Sequence, residues 1–214
     1  MSLELHFHPL ASFCHKVLIP LYENGIAFEP RIVDLGDPAS RGAFEKLWPM
    51  AKMPVLVDRA RRATVAESTV IIDYLDQHHP GPVRFVPADP DAARETRFRD
   101  RVLDLYVHQP MQKIVTDRIR PEGRHDGFGV EEARRTMRKA YAMIDGWMEA
   151  GPWGMGGDFG LVDCAAAPAL FYAAKVEPFA GHRHLSAYFD RLMARPSFAR
   201  VLEEAEPYFR LFPQ

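Results

Sequence analysis

Two short motifs in the first third of the chain carry residue types that suit a small peptide with an anionic end. The first is Lys52-Met53-Pro54, with its proline at the entrance to a predicted buried strand. Because proline lacks an N–H and is confined to a strand's first residue or edge, the backbone groups of the preceding residue are left free for another partner. The second is Glu67-Ser68, which opens a predicted helix. Unpaired N–H groups and the positive end of the helix dipole favour a carboxylate there.

Together the two motifs describe a slot for a short peptide that ends in a carboxylate, and glutathione fits that description. Each motif alone has a simpler interpretation. Glu67-Ser68-Thr69 is typical of an ordinary helix cap, Pro54 of a strand boundary, and Lys52 of a solvated surface charge. Their joint spacing within one order of strands and helices favours glutathione.

A reaction of glutathione requires its thiolate, because the thiolate is the nucleophile. A free thiol has a pKa of about 8.5, so little of it is ionised at neutral pH. A hydroxyl donor together with a helix N-terminus stabilises the thiolate. Ser12 stands where the first predicted helix begins and is the leading donor, with Cys14 as the alternative catalytic residue. Both also have structural interpretations, Ser12 as an N-cap and Cys14 as a core residue.

Composition limits the classes of protein to consider. The chain has 214 residues, 47% of them hydrophobic and 26% charged, which allows one large or two small domains with a core. A formal net charge of -2 gives no reason to expect nucleic-acid or membrane partners. Two distant cysteines do not make a secreted disulfide framework. With neither a signal peptide nor an apolar segment of bilayer length, we expect a cytoplasmic protein, and we expect no metal.

Strand and helix signals alternate over residues 1–80, the predicted first domain. The predicted strands span residues 3–7, 27–33, 55–57 and 63–66, and the predicted helices span residues 12–24, 41–47 and 69–78. Pro30 favours an edge position for the second strand. This order predicts an α/β thioredoxin-like domain with a mixed four-stranded sheet.

Residues 81–90, rich in proline, form a predicted linker. The remainder, residues 91–214, is predicted to be an all-helical bundle domain. Its predicted helices span residues 91–109, 130–149, 160–174, 184–195 and 197–206. Gly160 is the predicted N-cap of the third, which is uniformly apolar and therefore buried all round. Asp163 would accept a backbone N–H at that N-cap, and Cys164 is interpreted as a small buried hydrophobe.

An α/β domain with these motifs, followed by helices, resembles the cytosolic glutathione transferases over essentially the whole chain. The specific anchors are Lys52-Met53-Pro54, Glu67-Ser68 and the Gly-Asp-Phe-Gly-Leu-Val-Asp run at residues 157–163. Residues 8–17 look like the catalytic loop of the serine- or cysteine-type, bacterial-like members. Phe7 and His8 stand where the tyrosine-type classes have a tyrosine at the end of the first strand.

The resemblance implies a role for each residue of the slot. The Met53–Pro54 bond would be cis, and the Met53 backbone would pair with the cysteinyl unit of glutathione. Lys52 would meet the glycyl carboxylate. Glu67 would accept from the γ-glutamyl ammonium, and Ser68 would donate to the γ-glutamyl carboxylate at the helix start.

The position that activates the thiol stays open between two alignments. Aligning Cys14 on the thioredoxin-type C-x-x-C spacing places the functional position at Ala11, whose side chain cannot donate a hydrogen bond. Aligning Lys16 as the basic residue after a catalytic serine places it at Ser12. Cys14 could instead form a mixed disulfide, or its backbone N–H could face the sulfur.

A second substrate, a small and hydrophobic electrophile, would bind between the domains. Candidate residues for its pocket are His8, Tyr106, Met111, Gln112 and Arg118. The resemblance also implies a homodimer, in which Asp100 or Asp104 would reach across to the neighbouring subunit's γ-glutamyl ammonium.

The leading functional hypothesis is a glutathione S-transferase with glutathione as co-substrate. Conjugation, dehalogenation and isomerisation all use the same thiolate, and the sequence does not choose among them. One alternative is a thiol-disulfide reductase that depends on Cys14. The other is a non-catalytic interaction module, which the missing hydroxyl at Ala11 keeps open.

Overall fold

The computed structural model describes residues 2–213 and shows a small sheet region followed by a helical region. The strands are β1 (Leu3–Phe7), β2 (Glu29–Ile32), β3 (Val55–Asp58) and β4 (Ala63–Ala66). The helices are α1 (Ser12–Glu23), α2 (Pro38–Leu47), α3 (Ser68–His78), α4 (Pro90–Val102), α5 (Gln109–Arg118), α6 (Gly127–Trp147), α7 (Leu161–Ala173), α8 (Arg183–Met193) and α9 (Pro196–Ala205). The predicted mixed sheet followed by a helical region is confirmed.

The four strands form one sheet in the order β2-β1-β3-β4. The β1–β2 pair is parallel, whereas β3 runs antiparallel to both β1 and β4. Pro30 lies on the edge strand, as predicted, where its missing N–H costs no ladder hydrogen bond. Because His6 pairs with Val55, the end of β1 and the start of β3 meet at one margin of the sheet. That register brings the segment before α1 next to Met53.

The helical path through α4 and α5 runs further than predicted, to Arg118 instead of about residue 109. Residues Leu103–His108 between the two helices are π-helical. Pro110 stands in the first turn of α5, where a regular α-helix would drive its ring against the carbonyl of Tyr106 four residues earlier. The wider π turn accommodates that ring, and such turns occur frequently at functional sites.

Helix α7 lies at the centre of the helical region and packs against α1, α4 and the π-helical segment. Gly160 is its N-cap, and Asp163 accepts hydrogen bonds from the N–H of Gly160 (2.8 Å), the N–H of Gly154 (2.7 Å) and the hydroxyl of Tyr188 (2.6 Å). Cys164 is fully buried, as predicted. This anchoring fixes the helical wall against which the sheet region docks.

Candidate functional site

A narrow slot of about 150 Å³ opens between the sheet region and the α4–α5 path. Its wall contains all five residues that the sequence motifs single out: Lys52, Met53, Pro54, Glu67 and Ser68. The helical side and α1 complete the wall with Phe13, Arg101, Asp104, Leu105 and Gln109. The two motifs, separated along the chain, therefore line a single recess.

The Met53–Pro54 peptide bond is cis, as the family resemblance implies. Met53 precedes β3, whose ladder begins at Val55, so its N–H and C=O lie outside the sheet pairing. Its side chain is half-buried. The backbone at Met53 thus presents an unpaired strand-like edge to the slot, which is the arrangement that binds an extended peptide.

Glu67 occupies the N-cap position of α3 with a φ of 69° and makes no side-chain capping hydrogen bond. Glu67 therefore stands at the cap position without capping the helix through its side chain. A non-glycine residue in the left-handed region is uncommon and occurs preferentially at ligand sites. The first turn of α3 keeps its N–H groups and positive dipole end available beside Ser68.

The slot contains charges of both signs. Lys52 and Arg101 are its cations, and Glu67 and Asp104 are its carboxylates. Arg101 pairs with Asp104, and its Nη2 lies 3.4 Å from the hydroxyl of Thr69. A ligand that carries an ammonium and a carboxylate close together would find partners for both.

Behind the slot, Lys16 is buried in an ion-pair network that joins α1, α3 and α4. Its Nζ lies 2.5 Å from Asp100 Oδ1 and 2.9 Å from Asp104 Oδ2, and it donates to Thr69 Oγ1 at 3.0 Å. Thr69 in turn donates to Asp100 Oδ2 at 2.8 Å. The network fixes the helical region onto the start of α3.

This network corrects the prediction that Asp100 or Asp104 reaches a neighbouring subunit. Asp100 has no exposed surface, because Lys16 and Thr69 enclose its carboxylate within its own chain. Asp104 is 5% exposed and faces the slot of its own chain. Burial raises the pKa of Asp104, although the charge of Lys16 opposes that rise.

A wide cavity of about 500 Å³ adjoins the slot. It is lined by His8, Leu10, Ala11, Ser12, Phe13, Val33, Asp34, Leu35, Gly36, Met53, His108, Met111, Gln112, Val115, Thr116, Ile119, Tyr172, Phe212 and Pro213. Phe13 and Met53 line both recesses, so the slot and the cavity are two parts of one site.

The hydroxyl of Ser12 pairs with Nε2 of His108, a residue of the π-helical segment. Ser12 is the first residue of α1, and Ala11, not Ser12, is the N-cap. Burial and the charge of Lys16 lower the pKa of His108 to about 4, so its imidazole is neutral at neutral pH. Its Nδ1 is buried and has no hydrogen-bond partner among residues 2–213.

Cys14 does not have the properties of a catalytic thiol. Its side chain is fully buried, and burial raises its pKa to about 12. Its backbone N–H donates to the carbonyl oxygen of Ala11 at 2.9 Å and is not available to a ligand. The prediction of Cys14 as a catalytic residue is therefore wrong, because the first turn of α1 directs its side chain into the core.

Three of the predicted second-substrate residues, His8, Met111 and Gln112, lie in the wall of the wide cavity. Tyr106 is 48% exposed and lines neither recess, because the π turn changes which side chains of this helix face inward. Arg118 also lies outside the wall, and its Nη1 donates to the carbonyl oxygen of Pro213 at 3.0 Å. The placement of Tyr106 and Arg118 in the pocket is therefore wrong.

Sequence reasoning missed His108, Asp34 and Phe212. The spacing of Asp100, Asp104 and His108 by four residues was the available signal for His108, because it places all three on one helical face. Asp34 follows β2, and Phe212 arrives from the far end of the described chain to stack on Tyr172. No local pattern marks either residue.

Within residues 2–213, no group of three or more His, Cys, Asp or Glu side chains is arranged to hold a metal ion. None of the helices in that range combines the length and the apolar character needed to cross a bilayer.

Comparison with known proteins places most of the chain in one family. The family description "Glutathione S-transferase, N-terminal domain" matches residues 5–83, and "Glutathione S-transferase, C-terminal domain" matches residues 114–196. A stringent starvation protein A homolog of Pasteurella multocida is 30% identical over 198 residues, 91% of this chain and 87% of that protein. A probable maleylacetoacetate isomerase of Vibrio cholerae is 28% identical over 218 residues, 97% and 98% of the two chains.

A crystal structure with a similar fold is that of a glutathione S-transferase from Methylobacterium radiotolerans in complex with glutathione sulfonate. Its TM-score is 0.82 at 28% sequence identity, and the match covers 94% of each chain.

Proposed function

The chain belongs to the glutathione S-transferase family, and on that premise we propose that it binds glutathione in the narrow slot, ionises the thiol and directs the sulfur at a small apolar electrophile in the wide cavity. The observation that carries the proposal is the junction of the two recesses. Phe13 and Met53 belong to both walls, and Ser12, the residue before Phe13, lines the wide cavity. The names of the relatives do not agree on one reaction, so the proposal stops at glutathione-dependent transfer.

In this proposal each part of glutathione has a partner in the slot. The cysteinyl unit pairs with the backbone of Met53, and Lys52 meets the glycyl carboxylate. The γ-glutamyl carboxylate takes the hydroxyl of Ser68 and the N–H groups at the start of α3, where the helix dipole also favours it. The γ-glutamyl ammonium meets the carboxylate of Glu67.

Thiolate formation falls to Ser12 and the N-terminus of α1. The His108 tautomer with its hydrogen on Nε2 donates to Ser12 Oγ and leaves Nδ1 as a bare acceptor, which avoids an orphaned buried N–H. The Ser12 hydroxyl hydrogen is then free to point at the sulfur. His108 acts here as a positioning residue, because it orients the hydroxyl and does not touch the substrate sulfur.

Calorimetry with glutathione, followed by turnover of an activated aryl chloride, tests the proposal. We expect binding in the micromolar to millimolar range that Ser68→Ala weakens, and turnover that Ser12→Ala removes. If the native protein gave no binding heat at millimolar glutathione, the proposal would be contradicted.

A non-catalytic, glutathione-binding interaction module is the second candidate function. The relatives called stringent starvation protein A homologs favour keeping it, because that name does not state a chemical reaction. Glutathione binding with an unshifted thiol pKa and no turnover would select this candidate. A reductase that depends on Cys14 has no support, since that thiol is fully buried.

We also propose that the protein is a homodimer in the reducing cytoplasm. Exposed apolar side chains lie on α3 and on the α4–π path, two elements joined by the hydrogen bond from Thr69 to Asp100. They are Val70, Phe98, Leu105 and Tyr106. Light scattering should give a dimer mass, and Phe98→Ser with Tyr106→Ser should shift it towards the monomer.

The proposed location in the cytoplasm is supported by the cysteines. Both cysteines are free, as the reducing cytoplasm favours.

A further inference from the structure

We infer that the wide cavity accepts uncharged or positively charged apolar electrophiles and discriminates against those that carry a carboxylate, with Asp34 sharpening that selection. This inference rests on the proposed function and specifies the substrate class of the same site. The charges of the side chains in the cavity wall are the basis for this selection between substrates.

The wall, as formed by residues 2–213, contains neither lysine nor arginine. Its two histidines, His8 and His108, are shifted towards the neutral form. Burial lowers the pKa of both, and the charge of Lys16 also contributes at His108, where the pKa is about 4. The one acidic side chain in the wall is Asp34. At neutral pH the cavity therefore offers a carboxylate group no cationic partner.

The neighbouring cations are engaged elsewhere. Arg118 lies outside the wall and donates to the carbonyl oxygen of Pro213. Lys52 and Arg101 belong to the slot, where the proposed function places glutathione. A substrate carboxylate that entered the wide cavity would lose its water without gaining an ion pair, and that loss is costly.

Asp34 adds a repulsive contribution. Its Oδ1 accepts the N–H of Gly36 at 2.8 Å, which holds the carboxylate at the cavity mouth. Its negative charge raises the pKa of His8 against the larger lowering effect of burial, so its field reaches the cavity wall. The Asp34 side chain is itself exposed, so solvent screens its charge. We therefore expect Asp34 to change the carboxylate-to-carboxamide ratio of kcat/KM by only about threefold.

On this basis the chain differs in substrate class from one of its relatives. The Vibrio cholerae protein is named as a probable isomerase of maleylacetoacetate, which is an anionic carboxylate at neutral pH. A cavity wall without a cation does not suit that class of substrate.

Three aryl chlorides that differ only at one ring position test the inference. They are 4-chloro-3,5-dinitrobenzamide, 4-chloro-3,5-dinitrobenzoate and the benzamide with a 2-(trimethylammonio)ethyl group on its nitrogen. In each reaction the glutathione sulfur attacks the ring carbon that bears chlorine and forms a C–S bond. The C–Cl bond breaks, chloride leaves with the bonding pair, and the thiol proton goes to solvent. Each kcat/KM is divided by the uncatalysed rate constant for the same compound.

The carboxylate compound should fall about 100-fold or more below the carboxamide, as burial of an unpaired charge predicts. The trimethylammonium compound should stay within about tenfold of the carboxamide, since Asp34 offsets part of its desolvation. Gln112→Arg places a cation in the wall and should raise the carboxylate-to-carboxamide ratio about tenfold or more. Gln112→Met, the matched control, should leave that ratio unchanged. Asp34→Asn should raise it about threefold.

Calorimetric Kd values for the three S-aryl glutathione products give the same ordering without relying on turnover. Equal normalised rates, or equal product affinities, for the carboxylate and the carboxamide would overturn the inference while the proposed function stands. If Gln112→Arg changed neither the carboxylate-to-carboxamide ratio of the normalised rates nor that of the product affinities, the inference would also be overturned. Absence of glutathione binding would instead overturn the proposed function, and this inference with it.

Discussion

The narrow slot and the wide cavity share Phe13 and Met53 but differ in their chemistry. The slot presents two cations, two carboxylates and the free start of α3 within about 150 Å³. The cavity is more than three times larger, and residues 2–213 give its wall a single acidic side chain and two histidines shifted towards the neutral form. Many fixed polar groups in a small space select one ligand, whereas an apolar wall accepts a range of shapes. In the proposed function, the site thus combines one specified co-substrate with a class of second substrates.

Loss of Lys16, which lies behind the slot in a buried ion-pair network, should have the largest effect on stability. Lys16→Met leaves the buried carboxylates of Asp100 and Asp104 with only the half-exposed Arg101 as a cation, which should lower the free energy of unfolding by about 3–5 kcal/mol. Chemical denaturation measures that change. Arg94→Ala, which removes an exposed ion pair with Asp91, is the control and should change stability by less than ~1 kcal/mol. Equal effects from the two variants would show that the buried network does not stabilise the fold.

The junction of the two regions should be most sensitive at Ser12. Ser12→Ala removes the hydroxyl that we propose as the donor to the sulfur, and kcat/KM with an activated aryl chloride should fall about 100-fold. Glutathione affinity should change little, because the slot keeps its other contacts. Ser186→Ala makes the same change in α8, outside both walls, and should retain native kinetics. Native kinetics in Ser12→Ala would remove Ser12 from the mechanism.

Acid should lower the stability of the fold through His108, a residue of the cavity wall. Its pKa is about 4 in the fold and about 6.5 in an unfolded chain. The unfolded state therefore takes up a proton first, and stability falls as the pH drops from about 6.5 to about 4. Relative to His108→Gln, the native protein should lose up to ~1.4 kcal/mol per pH unit in that range. If the free energy of unfolding changed equally with pH in the two proteins across that range, the assignment of a buried, neutral His108 would be contradicted.

Ser68 should report on the slot alone. Ser68→Ala removes one hydrogen bond to a carboxylate and should raise the Kd for glutathione about tenfold. At saturating glutathione, kcat should remain unchanged, because the sulfur keeps its donor. Thr64→Ala in β4, outside the slot wall, is the control for calorimetry. A fall in kcat with an unchanged Kd would place Ser68 with the chemistry of the cavity instead.

The same contrast separates what the sequence predicted from what it did not. Each of the two motifs is a run of consecutive residues. Lys52-Met53-Pro54 directly precedes strand β3, and Glu67-Ser68 stands at the start of helix α3. Local rules on proline and helix ends therefore located the slot. The cavity gathers Asp34, His108 and Phe212 from three distant segments, and only tertiary packing brings them together.

The misplacement of Tyr106 has a physical cause in the helix that carries it. Tyr106 is a predicted pocket residue of the helical side, but the π-helical turn before Pro110 changes the helical spacing and leaves Tyr106 exposed. The cysteine error has a different origin. A reactive thiol and a core thiol look the same in sequence, and only the burial of Cys14 distinguishes them.

The pKa of the glutathione thiol, measured on the bound tripeptide by its thiolate ultraviolet absorbance, tests the central claim most directly. A slot that holds glutathione with its sulfur at Ser12 predicts a pKa at least one unit below the ordinary value of about 8.5, and a return towards that value in Ser12→Ala. Saturating glutathione binding with an unchanged thiol pKa in the native protein would contradict the account.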